Sequence, residues 1–235
     1  MKRNTLFSLM ALLAGSLIAA ESTPKDDVIS AAKILGEKAN YSWKATVVVP
    51  EGARFRPGPM DGKTEKDGFT VVSGTFGDTT WELVRKGDKA ALNTPDGGWE
   101  SLAEMEKDEG AGRFRAAMVR SFRVPATEAA ESAPTAKELK KDGDTYSGAL
   151  TEEGAKALLT FRQRGGGDGP TVSNAQGSVK FWLKDGLLVK YELKVKGTVN
   201  YNGNDIENDR TTTVEIKEVG TTKVTVPEEA KKKLT

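Results

Sequence analysis

The chain has 235 residues, with 35 Lys+Arg against 34 Asp+Glu, and contains neither cysteine nor histidine. That balance lacks the basic excess by which phosphate-neutralising proteins announce themselves, so nucleic acid is not an expected partner. The missing residues exclude disulfides, thiol nucleophiles, a Ser-His-Asp triad and the common Cys or His metal sites; no cofactor and no metal is expected.

Met1 to Ala20 has the three parts of a secretory signal. Lys2 and Arg3 form a positive start, Leu6 to Ile18 an apolar stretch too short for a comfortable membrane span, and Ala19-Ala20 a small-residue cleavage point. Removal of residues 1–20 leaves 33 positive against 34 negative charges and no membrane span, with residues 21–235 as a single domain in the periplasm or outside the cell. Without a cysteine at the cleavage point there is no lipid anchor.

The mature chain opens on a helix. Asp26 and Asp27 suit its first turn, and Val28, Ala31, Ala32, Leu35 and Ala39 recur at helical spacing. From Tyr41 to Val49 the period becomes two, with Trp43, Ala45, Val47 and Val49 on one face. Further strands are expected at Phe69 to Phe76, Thr79 to Arg85, Lys89 to Thr94, Ser178 to Lys184, Leu187 to Val199 and Thr211 to Val219. Asp67-Gly68, Asp96-Gly97 and Asp185-Gly186 suit tight hairpin turns, and such short links make antiparallel neighbours.

The clearest strand is Leu187 to Val199. Leu187, Val189, Tyr191, Leu193, Val195 and Val199 alternate with Lys190, Glu192, Lys194, Lys196 and Thr198. A sheet with one wet and one covered face produces this pattern. Its partner strand carries Val214 and Ile216 in phase. The cover is expected from two helices. Ala111 to Phe122 has a stripe of Phe114, Ala117, Met118 and Phe122; Thr151 to Arg164 has Ala155, Leu158, Leu159 and Phe161. Val124 to Asp144, rich in Ala, Pro, Glu and Lys, reads as irregular and mobile, with room for a short helix at Ala136 to Lys140.

Other motifs have plain readings. Gly165-Gly166-Gly167-Asp168-Gly169 lacks the Lys-Ser/Thr of a phosphate loop and reads as a helix stop. Asn200 to Asp209 offers oxygen ligands for calcium, yet departs from the EF-hand pattern and lies where a hairpin loop belongs. Asp142, Asp144, Glu152 and Glu153 sit at turn and helix-start positions, and Lys231-Lys232-Lys233 reads as a frayed polar end. Trp43, Trp81, Phe181 and Tyr191 fall on apolar strand faces, where ordinary core packing is the simpler account of each alone. Together with the two helices they also fit a sheet curved around an apolar cleft under an incomplete lid. Trp182, between Lys180 and Lys184, falls on the opposite face.

Two C-terminal segments carry a resemblance. Phe181-Trp182-Leu183-Lys184-Asp185-Gly186-Leu187-Leu188-Val189-Lys190 reads as strand-turn-strand. Thr212-Thr213-Val214-Glu215-Ile216-Lys217-Glu218-Val219-Gly220, followed by Val224-Thr225-Val226-Pro227, reads as a closing strand with its exit. With the order signal, helix, strands, mid-chain helices and long final strands, residues 24–230 resemble the bacterial periplasmic lipoprotein carriers and their lipid-binding relatives, the LolA/LolB and LppX-type proteins. The resemblance implies an α+β fold, a half-open antiparallel β-barrel whose concave face is closed by helices and binds acyl chains. Transferred to this chain, the apolar lining is Trp43, Val47, Trp81, Leu83, Phe114, Met118, Phe122, Leu158, Phe161, Phe181, Leu183, Val189, Tyr191, Leu193, Val214 and Ile216, with no catalytic residue. The partner so implied is a hydrophobic ligand, a lipid or acyl chain, with an envelope protein as a second partner. The alternative is a non-enzymatic envelope structural or interaction protein of the same fold with a filled core.

Overall fold

The structure is a computed structural model and describes residues 22–53, 56–77, 79–94, 97–108, 110–160, 170–201 and 203–235. The signal-like segment, Phe161 and Gly165 to Gly169 lie outside these residues. The first six strands are β1 (Asn40–Val48), β2 (Pro57–Glu65), β3 (Thr70–Phe76), β4 (Thr79–Lys86), β5 (Lys89–Thr94) and β6 (Gly98–Ser101). The last five are β7 (Lys140–Asp142), β8 (Thr145–Ala149), β9 (Thr171–Lys184), β10 (Leu187–Tyr201) and β11 (Asn204–Lys217). All belong to one antiparallel sheet in the order β6-β5-β4-β3-β2-β1-β11-β10-β9-β8-β7. Each half is a meander of sequential neighbours, with α5 carried on the β8–β9 connection. One long-range pairing joins them, β1 to β11, with Trp43 opposite Ile216 and Ala45 opposite Val214.

The sheet does not close, and β6 and β7 are its edges. Twist accumulated over so many strands curls such a sheet, and helices fill its concave side. At the Asp185-Gly186 link both residues have positive φ, 51° and 73°, as a two-residue primed turn requires.

Among the described residues six helices accompany the sheet: α1 (Pro24–Gly36), α2 (Leu102–Lys107), α3 (Ala111–Ser121), α4 (Pro125–Ser132), α5 (Glu152–Leu159) and α6 (Glu228–Lys233). Helix α1 begins as its sequence demands: Asp26 N–H donates to Thr23 Oγ1 and Thr23 N–H donates back to Asp26 Oδ2, both at 3.2 Å. Its Val28, Ala31, Ala32 and Leu35 are buried against α4, β9 and β10. Helix α5 lies on β9 and β10, where Gly197 leaves room for Leu159; a Cβ there would stand 2.7 Å from Leu159 Cδ1.

Several expectations need correction. Val124 to Asp144 is ordered structure, not an irregular segment. Pro125 opens α4 at its first turn, where a missing N–H costs nothing, and Ala126, Ala129 and Ala133 form a small-residue face buried in the core. A 3-10 turn, Ala133–Thr135, then leads into the β7–β8 hairpin. Asn200 to Asp209 is not a long loop: Asn200 pairs with Asp205 and Tyr201 with Asn204, so the ladder runs almost to its tip. Lys231 to Lys233 belong to α6, whose Ala230 and Leu234 join Val84, Ala91 and Val226 in a second, smaller core. Leu83 and Leu92 belong to the main core, so β4 and β5 are covered on both faces.

In α3 the buried residues are Gly112, Ala116 and Val119, one step off the expected stripe. Phe114 is 56% exposed. In β10 the register slips between Leu188 and Lys190, so a bulge at Val189 reverses the side-chain parity. Leu188 is consequently fully buried and Val189 only half so.

Candidate functional site

Most of the expected apolar lining is packed interior. Trp43, Leu83, Phe181, Leu183, Tyr191, Leu193 and Val214 are buried in the main core, and Trp81, Met118, Phe122, Leu158 and Ile216 are half-buried against it. Val47 and Val189 are half-buried outside that cluster. Phe114 faces outward, and Phe161 lies outside the described residues. The two tryptophans lie flat against the sheet: a Cβ on Gly62 would meet the Trp43 ring at 2.1 Å, and one on Gly74 the Trp81 ring at 2.6 Å.

Two hollows open among the described residues. A chamber of about 260 Å³ lies between the ends of α3 and α4, helix α5, and strands β10 and β11. Leu158, Leu193, Val195 and Ala157 supply its apolar wall; Arg123, Glu128, Glu131, Arg210 and several hydroxyls supply the rest. An outer cleft of about 1370 Å³ lies beside the β4–β5 turn, between α2, the end of α3 and the C-terminus. Leu102, Val119, Phe122 and Val124 are its apolar residues, set among Arg85, Lys89, Arg120, Arg123 and Lys233, with Asp88 and Glu106 as the acids. Arg123 borders both spaces, so the α3–α4 link stands between them.

The chamber's polar network is specific. Tyr191, fully buried on β10, donates its hydroxyl to Glu128 Oε2 at 2.5 Å. Burial pushes the Glu128 carboxyl above the usual range, against the lowering effects of the Tyr191 hydrogen bond and the Arg210 charge. Burial also lifts Tyr191 well above an ordinary phenol, reinforced by Glu128. Arg210 donates to the Leu158 carbonyl at 2.5 Å, tying β11 to the end of α5, and its own burial lowers its pKa. Tyr41, nearby on β1, is pushed up to about 12 by burial and accepts from Ala126 N–H at 3.4 Å.

These polar residues escaped the sequence reading for two reasons. Arg210 lies opposite Val195 and in phase with Val214 and Thr212, whereas the sequence pattern places the start of the strand at Thr211, beyond it. Glu128 lies on a helix where none was expected. The legible signal for Arg210 was an arginine on the apolar phase of an extended β11. Among the described residues, no group of three or more His, Cys, Asp or Glu is placed to hold a metal ion, and no helix is long and apolar enough to cross a membrane.

An open antiparallel sheet with α1 and α5 against the main core, α6 on the other face beside β4 and β5, and amphipathic hollows between elements is the class of protein this geometry defines. No family model and no curated protein matches the chain. Among solved structures it is similar to LprF from Mycobacterium bovis, at 14% identity over 88% of this chain and 97% of that one, TM-score 0.44. It is similar to the lipoprotein LppX from Mycobacterium tuberculosis, at 8% identity over 87% and 98%, TM-score 0.47. A LolA superfamily protein from Nitrosomonas europaea aligns at 9% identity over 92% and 98%, TM-score 0.35.

Proposed function

We propose that this chain is an exported, non-enzymatic, single-domain binding protein of the periplasm or extracellular space that carries a lipid or acylated ligand between its sheet and its helices. The observation that carries the reading is the pair of hollows on either side of the α3–α4 link, each lined by apolar side chains interleaved with charged ones. An outer space of about 1370 Å³ exceeds the roughly 300–1,000 Å³ that encloses a drug-sized ligand. Each buried CH₂ of an acyl chain contributes about 0.8 kcal/mol, so affinity needs few polar contacts. Gly110, at φ 80° immediately before α3, supplies a pivot for that helix. Lipid extraction and native mass spectrometry of the purified protein test the reading; a co-purifying or titratable amphiphile is expected, and a protein that takes up none would overturn it.

A second reading, an envelope interaction protein with a filled core, is favoured by the complete burial of Val179, Phe181, Leu188 and Tyr191. Leu193→Arg separates the two. At the chamber wall an arginine leaves the fold in place and removes ligand uptake; in a filled core it unfolds the domain, which circular dichroism detects.

A further inference from the structure

We propose that the ligand of the outer cleft is anionic, its phosphate or carboxylate group held by Arg85 and Arg123 at the α3–α4 link, an inference that rests on the amphiphile-binding reading. Both guanidinium groups converge on one backbone atom. Arg85 Nη1 donates to the Phe122 carbonyl at 3.2 Å and Arg123 Nη1 donates to the same oxygen at 2.9 Å, so the two nitrogens stand within about 6 Å of each other. Arg85 Nε donates to the Gly87 carbonyl at 2.9 Å and Arg123 Nη1 also to the Arg120 carbonyl at 2.9 Å. Backbone oxygens thus orient both side chains, and of the two only Arg123 also has a carboxylate partner among the described residues, Glu131 at 3.5 Å from its Nε.

Of the surrounding acids one pairs with Arg123 itself and two are committed elsewhere. Glu106 pairs with Arg120, Glu104 takes Lys233 at 2.7 Å, and Glu131 lies 3.5 Å from Arg123 Nε on the chamber side. Among the described residues no carboxylate forms an ion pair with Arg85, and Asp88 is the remaining acidic side chain on the cleft wall. Two guanidinium groups side by side with one carboxylate partner for the pair keep a net positive charge that an anion relieves, and the planar guanidinium fork matches phosphate or carboxylate oxygens. The apolar neighbours Phe122 and Val124, and the chamber wall of Leu158, Leu193 and Val195 beyond Arg123, then give the attached chain its place.

The test measures binding of three probes to the full chain by calorimetry: dodecyl phosphate, dodecyl maltoside and inorganic phosphate. Dodecyl phosphate is expected to bind more tightly than the uncharged maltoside, with a preference that shrinks as salt rises. Arg85→Gln and Arg123→Gln are each expected to weaken dodecyl phosphate about 10- to 100-fold, bringing the ratio of the two detergents toward one. Lys184→Gln, an exposed change of the same charge at the end of β9, should leave that ratio unaltered; an equal loss there would overturn the specific site. Equal binding of both detergents overturns the anion assignment while leaving amphiphile binding intact. Binding of inorganic phosphate with neither detergent assigns the arginine pair to a free anion and overturns the amphiphile reading. Binding of none overturns both.

Discussion

Glu128 shows how one residue can govern both space and stability. Its carboxyl sits where burial disfavours charge, and the donor that makes the position tolerable is the Tyr191 hydroxyl at 2.5 Å. Tyr191→Phe keeps the ring, which packs against Phe181 at 6.3 Å between centroids, and removes only that donor. An enclosed carboxyl left without its partner costs about 1–3 kcal/mol, so urea unfolding should shift by that amount with little change in m-value. A neutral result would mean that water or Arg210 takes over the hydroxyl's part. Gly62 is a second single-residue determinant, because the Trp43 ring occupies the place its Cβ would take. Gly62→Ala is expected to cost about 1–3 kcal/mol by overpacking, with a change in tryptophan near-UV dichroism as the indole shifts.

At the level of elements, β10 is both the clearest success of sequence reading and its most instructive failure. From Tyr191 onward the alternation holds: Tyr191, Leu193, Val195 and Val199 are buried. Before Lys190 it does not, because the bulge at Val189 places Leu188 in the core beside Leu183. Leu188→Ala should therefore cost about 2–5 kcal/mol, and Val189→Ala well under that, in paired denaturant titrations. The reverse order would place the bulge elsewhere. Seven of the eleven described strands, the helix α1 and the turn at Asp185-Gly186 were legible because period, capping residues and positive-φ residues are local signals; β2, β6, β7 and β8, which are short or rich in Gly, Pro and Lys, were not. The bulge was not, since apolar residues on both sides of Leu188 give no parity cue. Helix α4 was hidden by its composition: Ala and Pro read as irregular until α1 is seen to need a small-residue face against it. The polar site followed from that miss, as Glu128 rides on α4 and Arg210 on the unrecognised first half of β11. The arginine pair at Phe122 was beyond sequence altogether, because β4 and the α3–α4 link meet only in the folded chain.

For the whole molecule, the absence of histidine makes the pH dependence of folding unusually simple to attribute. Asp26 and Asp27 are held below their ordinary values by Thr23 and Ser22 respectively, and Glu104 is held at about 2 by Lys233 and Ser101. As pH falls from about 4.5 toward 2, the unfolded chain takes up protons that these folded carboxylates refuse, so stability drops. Glu128 has the opposite sign. Its folded pKa is raised, so above the ordinary glutamate value the unfolded chain releases a proton that the folded chain retains, and stability falls as pH rises. The phenols add a third arm beyond pH 10, where unfolded tyrosine ionises while Tyr41, at about 12, and Tyr191 do not. Urea midpoints measured from pH 3 to 8 should accordingly rise up to the ordinary glutamate range and decline above it. Glu128→Gln can still accept from the Tyr191 hydroxyl but has no charge to bury. It should flatten the decline above the ordinary glutamate value and leave the acid limb unchanged, because that limb belongs to Asp26, Asp27, Glu104, Glu152 and Glu228. The α-amino group titrates in the same window but is common to both proteins, so it cancels in the difference. Parallel curves for the two proteins between pH 5 and 8 would show that Glu128 does not set the slope, and would remove the acid from the account of the chamber.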